Sequence, residues 1–359
     1  MSVDLVVSRA FTGGAVAGAD PLAFDAHVPS LDLLNKAGDT GGLLRLLALI
    51  VPRPQDVAAL GAAECAAAMR DLGMVMGSLR RHAVEPVRAL PATAPVLQLL
   101  GERTGMVPRD TIVHYTVWNP CGPRERTYTG SQEESAMLAA LRWYVCAVAE
   151  AAGAGAELAR LAVEDGYFPT AADRVSGALR EATVALDAFV LDVPPAFFAD
   201  VLRPYYDAID VDGASYPGPS PAHAPLPALD RVLWACDAGL TVPAEYWSVA
   251  AAHALPSWRP WYAQGASGSS LVTRVIAGLA RGEGMTAARA LREILSALLR
   301  FRGKHLTLAR RAYPQGDAAH RAGKPGSVIG LLADITDLTR ENKNLLVRMT
   351  AGGEQPART

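Results

Sequence analysis

Apolar residues recur at three- and four-residue steps in one alanine- and leucine-rich segment after another, and this period admits helices and little else. Such segments lie at approximately 31–50, 55–82, 94–104, 132–160, 170–190, 195–209, 226–237, 243–254, 269–281, 286–312 and 326–349. Strand-type alternation is scarce. The best extended candidate is the β-branched and aromatic run from Thr111 to Trp118, closed by the turn Asn119-Pro120-Cys121-Gly122-Pro123. One extended segment leaves the class unchanged, and the expectation is an all-α protein.

Glycine and proline concentrate at Asn119 to Gly130, Gly213 to Pro227 and Gln315 to Gly326. The first of these suggests a division near residue 125, with an N-terminal helical domain over 1–125, a larger helical domain over 126–351 and a disordered tail over 352–359. No solenoid period is present.

With 50% hydrophobic and 19% charged residues, the 359-residue chain has ample material for a large core. Thirty-four basic against thirty-six acidic side chains give a formal net charge of -2, which argues against a nucleic acid or an acidic membrane as partner. The Arg80-Arg81-His82 cluster reads as a solvated helix end. Cys65, Cys121, Cys146 and Cys236 are widely spaced, without the pattern of a zinc site or a disulfide framework. No leader and no uncharged apolar stretch of ~18 residues is recognisable, so the expected location is the cytoplasm.

One helix carries an anomaly. Leu291, Ile294, Leu295 and Leu298 share a face that continues through Phe301 or Arg302 to His305, Leu308 and Ala312, which points an imidazole inward among leucines. A histidine so placed is more often satisfied by a carbonyl than bound to a metal, and the helix alone does not decide between them.

Other motifs are weaker. Gly265 to Ser270 has the small residues and hydroxyls of a helix cap or an anion cradle, but lacks a Walker lysine. Gly323-Lys324-Pro325-Gly326-Ser327 is a turn that opens the last helix. Arg203, among Phe197, Phe198, Tyr205 and Tyr206, could fork onto a carboxylate, stack on Tyr206 or pair with Asp200. Arg142 and Trp143 interrupt an apolar helix, and Glu133-Glu134 read as its first turn rather than as an acid/base dyad.

Several stretches in order resemble the haem-dependent superfamily of tryptophan and indoleamine dioxygenases, most closely its ring-rearranging pyrrolnitrin-synthase branch. They are Ala66 to Gly73 with Gly77 to His82, Thr116 to Pro120, Tyr128 to Gly130, Leu202 to Tyr206, Ser215-Tyr216 with Gly218-Pro219, Leu298 to Arg302 with His305-Leu306, and Ala312-Tyr313.

The resemblance implies a large helical bundle enclosing haem b, with His305 as the proximal iron ligand and dioxygen as co-substrate. It implies an aromatic amino acid as substrate: tryptophan, a halogenated tryptophan or a relative. Arg203 matches the arginine that binds the substrate carboxylate, although this chain has one residue more between the Phe pair and that arginine than the indoleamine enzymes. Phe197, Phe198, Arg142, Trp143, Cys146, Tyr313 and Ser327 are the implied pocket residues. Where the family has a Gly-Ser-Gly-Gly or Gly-Thr-Gly-Gly loop, this chain has Gly323 to Ser327, in which proline removes a backbone donor and lysine adds a charge. The reading competes with a non-catalytic haem or small-molecule binding protein on the same scaffold and with a helical interaction protein. A homodimer is left open.

Overall fold

The computed structural model describes residues 13–235, 237, 244–264, 268–313 and 328–351. The helices are α1 (Gly13–Gly18), α2 (Val28–Ala37), α3 (Thr40–Ile50), α4 (Pro54–Ala59), α5 (Ala62–Arg81), α6 (Pro86–Ala89), α7 (Thr93–Thr104), α8 (Ile112–Tyr115), α9 (Gln132–Leu158), α10 (Phe168–Asp192), α11 (Leu226–Asp230), α12 (Ala244–His253), α13 (Arg259–Gln264), α14 (Leu271–Ala280), α15 (Met285–Ala312) and α16 (Val328–Ala351). The two strands found among the described residues, β1 (Ile209–Val211) and β2 (Ala214–Tyr216), form an antiparallel hairpin with Ile209 opposite Tyr216. The protein is all-α.

Several expected spans divide where local chemistry allows. The helix expected over 31–50 stops at Gly38, whose φ of 62° is left-handed, and restarts behind Asp39, whose carboxylate accepts the Gly42 N–H at 2.8 Å. The span 55–82 breaks at Leu60 and Gly61, and there Glu64 Oε2 accepts the Gly61 N–H at 2.7 Å. The extended reading of Thr111 to Trp118 is incorrect. Its centre is helix α8, entered with the Thr111 N–H donating to His114 Nδ1 at 3.1 Å. Every residue from Pro108 to Pro120 is buried, so tertiary packing overrides the strand preference of the β-branched residues. The helix expected over 195–209 is a wide π turn followed by a 3-10 turn, and the hairpin follows through the Asp212-Gly213 turn.

The chain forms two compact units. Residues 1–146, 188–224 and 252–257 make the first, residues 147–187, 225–251 and 258–359 the second. The division expected near residue 125 falls inside the first unit. The chain crosses between units five times, after residues 146, 187, 224, 251 and 257, and the first two crossings fall inside the long helices α9 and α10, where no glycine or proline marks them.

In the first unit α5 is central, buried continuously from Cys65 to Leu79. It packs against α1, α3, α7, α8 and the 3-10 turn Arg203–Tyr206. At Gly73 a Cβ would stand 2.3 Å from Asp110 Cγ, so only glycine admits the chain that crosses there. In the second unit α15 and α16 lie along each other with α14 against both. Their core includes Leu291, Ile294, Leu295, Leu298, Trp234, Val275, Ile335 and Leu346. Helix α9 is long and apolar enough to cross a membrane, with an 18-residue window of mean hydropathy 1.2, but 56% of that window is buried within the protein.

Candidate functional site

The inward stripe of α15 is fully buried through Leu291, Ile294, Leu295, Leu298, Phe301 and Arg302, then becomes half-buried at His305, Leu306, Leu308 and Ala309. Arg302, one turn before His305, is clamped from two elements. Its Nη2 donates to Asp230 Oδ2 at the end of α11, and its Nη1 donates to Thr339 Oγ1 on α16. The guanidinium also lies 6.0 Å over the Trp234 ring in the π turn Arg231–Ala235. On the neighbouring face Lys304 Nζ donates to both carboxylate oxygens of Asp187, at 2.5 and 2.6 Å. These contacts fix the rotation of α15 about its axis at the turn that carries the histidine.

The His305 ring lies 5.8 Å from the Phe301 ring and has no hydrogen bond among the described residues. Burial, reinforced by the Arg302 charge, lowers its pKa from 6.5 to about 4. The imidazole is therefore neutral at physiological pH, with a lone pair to offer. No three histidine, cysteine, aspartate or glutamate side chains converge as a metal-binding set among the described residues. A haem iron needs only one such side chain, and a neutral, half-buried imidazole beside an apolar stripe fits that need.

The other expected residues are partly in the first unit. Phe197 and Phe198, both half-buried, belong to the π turn Phe197–Leu202, and Phe198 meets Phe189 edge-on at 5.9 Å. Arg203 follows this turn directly. It pairs with Asp207 at 3.0 Å, neither with Asp200 nor by stacking on Tyr206.

Arg142 is committed elsewhere: it donates to Thr116 O at 3.0 Å and Pro120 O at 3.2 Å and pairs with Glu125 at 2.9 Å, which anchors the segment between α8 and α9. Trp143 is 41% exposed. Burial pushes the half-buried Cys146 thiol up to about 11, so it stays protonated at neutral pH and lacks the thiolate character of an iron ligand.

In the second unit Tyr313 is half-buried immediately after α15. Ser327, with the rest of Gly323 to Ser327, lies outside the described residues, as do Cys236 and the tail 352–359. Ser270 caps α14 by accepting the Thr273 N–H at 3.2 Å, which supports the capping reading of that motif. A shallow open groove between α10 and the start of α15, lined by Pro169, Asp173, Arg289 and Glu293, precedes His305 by more than three turns and shares no residue with the site.

Asp230 and Thr339, which hold Arg302, stand in no motif of the sequence. The only sequence sign of them is an arginine on the buried stripe of α15, which has to find an anion and an acceptor somewhere.

The site and fold together define an all-α protein that carries one neutral, half-buried histidine on a long helix held in rotation by Arg302. The sequence model of the monodechloroaminopyrrolnitrin synthase PrnB family matches residues 57–344, most of the chain. The chain belongs to that family. It is a family of enzymes, haem-dependent oxygenases of pyrrolnitrin biosynthesis.

Proposed function

We propose that this chain is a haem b oxygenase that uses dioxygen on tryptophan, a halogenated tryptophan or a related aromatic amino acid, rearranging its ring or inserting oxygen into it in secondary metabolism. The observation that carries this reading is His305: a neutral imidazole without a hydrogen-bond partner among the described residues, on a helix locked in rotation by Arg302. His305 would hold the iron. Haem, once bound, supplies the activation of dioxygen that no side chain of this chain can provide.

The residues themselves bind, orient and exclude water. Arg203 pairs with the substrate carboxylate. Phe197, Phe198 and Trp143 offer aromatic surface to the ring, Cys146, Tyr313 and Ser327 are substrate-binding residues by resemblance to the family, and Arg142, of the same set, also fixes the segment 116–125. The protonated Cys146 thiol neither competes for iron nor acts as a nucleophile. The cytoplasm is the proposed location, with a small-molecule substrate as the principal partner.

The test is the visible spectrum of the purified, dithionite-reduced protein with carbon monoxide, recorded during titration with L-tryptophan and 7-chloro-L-tryptophan. A Soret band of histidine-ligated haem that shifts with one of these amino acids upholds the reading. A protein that neither contains nor takes up haem overturns it.

A further inference from the structure

The winding before Arg203 is unusual. Pro204 has no N–H, and its ring crowds the carbonyl four residues back, so an α-helical ladder cannot run through this segment. The turn Phe197–Leu202 widens to π type, and the Arg203 N–H bonds to Phe198 O, five residues earlier. That five-residue step brings Arg203 one turn beyond Phe198, as a four-residue step does in an ordinary helix. The extra residue between the Phe pair and the arginine is absorbed in the wide turn, so the Arg203 backbone keeps a one-turn spacing from Phe198.

The guanidinium is also already occupied. Arg203 Nη1 donates to Asp207 Oδ1 at 3.0 Å, and this is its only hydrogen bond among the described residues. The pair is accessible, with the arginine side chain 34% and the aspartate 46% exposed. Asp207 terminates the 3-10 turn in extended conformation, so the same backbone that presents Arg203 carries the carboxylate beside it. A monodentate pair leaves part of the guanidinium fork unused, and an incoming carboxylate that takes two parallel N–H bonds gains more than Asp207 loses.

We propose that Asp207 sets the affinity of Arg203 for carboxylates: an internal carboxylate that holds the guanidinium until the α-carboxylate of an amino acid displaces it. The inference rests on the reading of Arg203 as the carboxylate partner. Asp207 lowers the affinity only of ligands whose carboxylate has to displace it, and leaves the corresponding amines unaffected.

The experiment is calorimetric binding of L-tryptophan and of tryptamine to the haem-loaded protein and its variants. Asp207→Asn should bind L-tryptophan about three-fold more tightly, the size expected from releasing an exposed ion pair. It should not tighten tryptamine, and Arg203→Ala combined with Asp207→Asn should abolish the gain. Asp192→Asn removes the same charge at the exposed end of α10 and should leave both affinities unchanged.

If Arg203→Ala weakens L-tryptophan but Asp207→Asn binds like the wild type, the latch is wrong and the carboxylate reading stands. If Asp192→Asn tightens binding as much as Asp207→Asn, bulk charge is the cause and the latch is wrong. If Arg203→Ala leaves L-tryptophan binding unaltered, or the wild type does not bind it, the carboxylate reading fails and takes the latch with it.

Discussion

The central helices of the two units handle buried polarity in opposite ways. On α5 the fully buried Arg70 directs its donors to Asp71, Val16 O, Trp118 O and Ala19 O, all within 3.1 Å. Asp71 in turn accepts from the buried Arg126 at 3.0 Å, and Arg126 pairs with Asp25 at 2.7 Å. Each charge is spent on holding α1 and the segment around 118–126 in place. On α15 the buried Arg302 is spent in this way, whereas His305 one turn later is left without a hydrogen bond among the described residues. A polar group that is fully committed serves the fold, whereas a neutral donor atom held in position and left uncommitted is available to a ligand.

The contrast breaks first at Arg70. Arg70→Ala leaves Asp71 with less of its compensation and three backbone carbonyls without donors, so thermal or urea unfolding should show a loss of about 3–5 kcal/mol. Asp230→Asn keeps the shape but removes the anion facing Arg302, and a loss of about 2–3 kcal/mol is expected in the same measurement. The double variant Arg302→Met with Asp230→Leu should recover most of that stability, because an apolar pair tolerates burial well.

Acid acts on both units. Burial lowers His114 and His223 of the first unit to about 3 and His305 of the second to about 4, so the folded state stays neutral where the unfolded chain, near 6.5, takes up protons. Their contribution is fully present above pH 6.5 and is lost as pH falls through the folded values, with a slope approaching ~1.4 kcal/mol per pH unit for each histidine between those limits. Unfolding midpoints followed from pH 7 to pH 4 check this, and a midpoint that rises on acidification would contradict it. The smallest effect on unfolding belongs to His305→Ala: below about 1 kcal/mol in haem-free protein, since the ring is half-buried and not hydrogen-bonded. Haem retention should nevertheless collapse, with partial recovery in added imidazole. Unchanged haem content would move the ligand elsewhere.

Much of the molecule is legible in the chain because amphipathic period is a local property. The spans of α7, α9, α10, α12, α14, α15 and α16 fall within two or three residues of those expected from apolar spacing. The errors share a cause. Thr111 to Trp118 has strand-forming residues but lies wholly inside the protein, where its neighbours and not its own propensity choose the backbone. The helix expected over 195–209 fails at Pro204, and the unexpected hairpin beyond it turns at Asp212-Gly213, a local signal that the helical reading passed over. Glu134 was legible as part of a first helical turn. That its carboxylate accepts from Tyr115 Oη at 2.6 Å and from the Tyr128 and Thr129 N–H groups at 2.8 and 2.7 Å was not, because the irregular backbone before α9 and the packing of α8 bring these groups to it.

The sequence by itself determined the all-helical class, the inward direction of His305 and the order of motifs that marks the family, since each depends on spacing along the chain. Tertiary structure alone decided which charges are committed across the fold: Arg142 to the carbonyls of Thr116 and Pro120, Arg302 to Asp230 and Thr339. A guanidinium reaches several ångströms from its backbone and accepts any carboxylate or carbonyl that packing delivers, so its partner is set by the fold and not by the residues beside it in sequence.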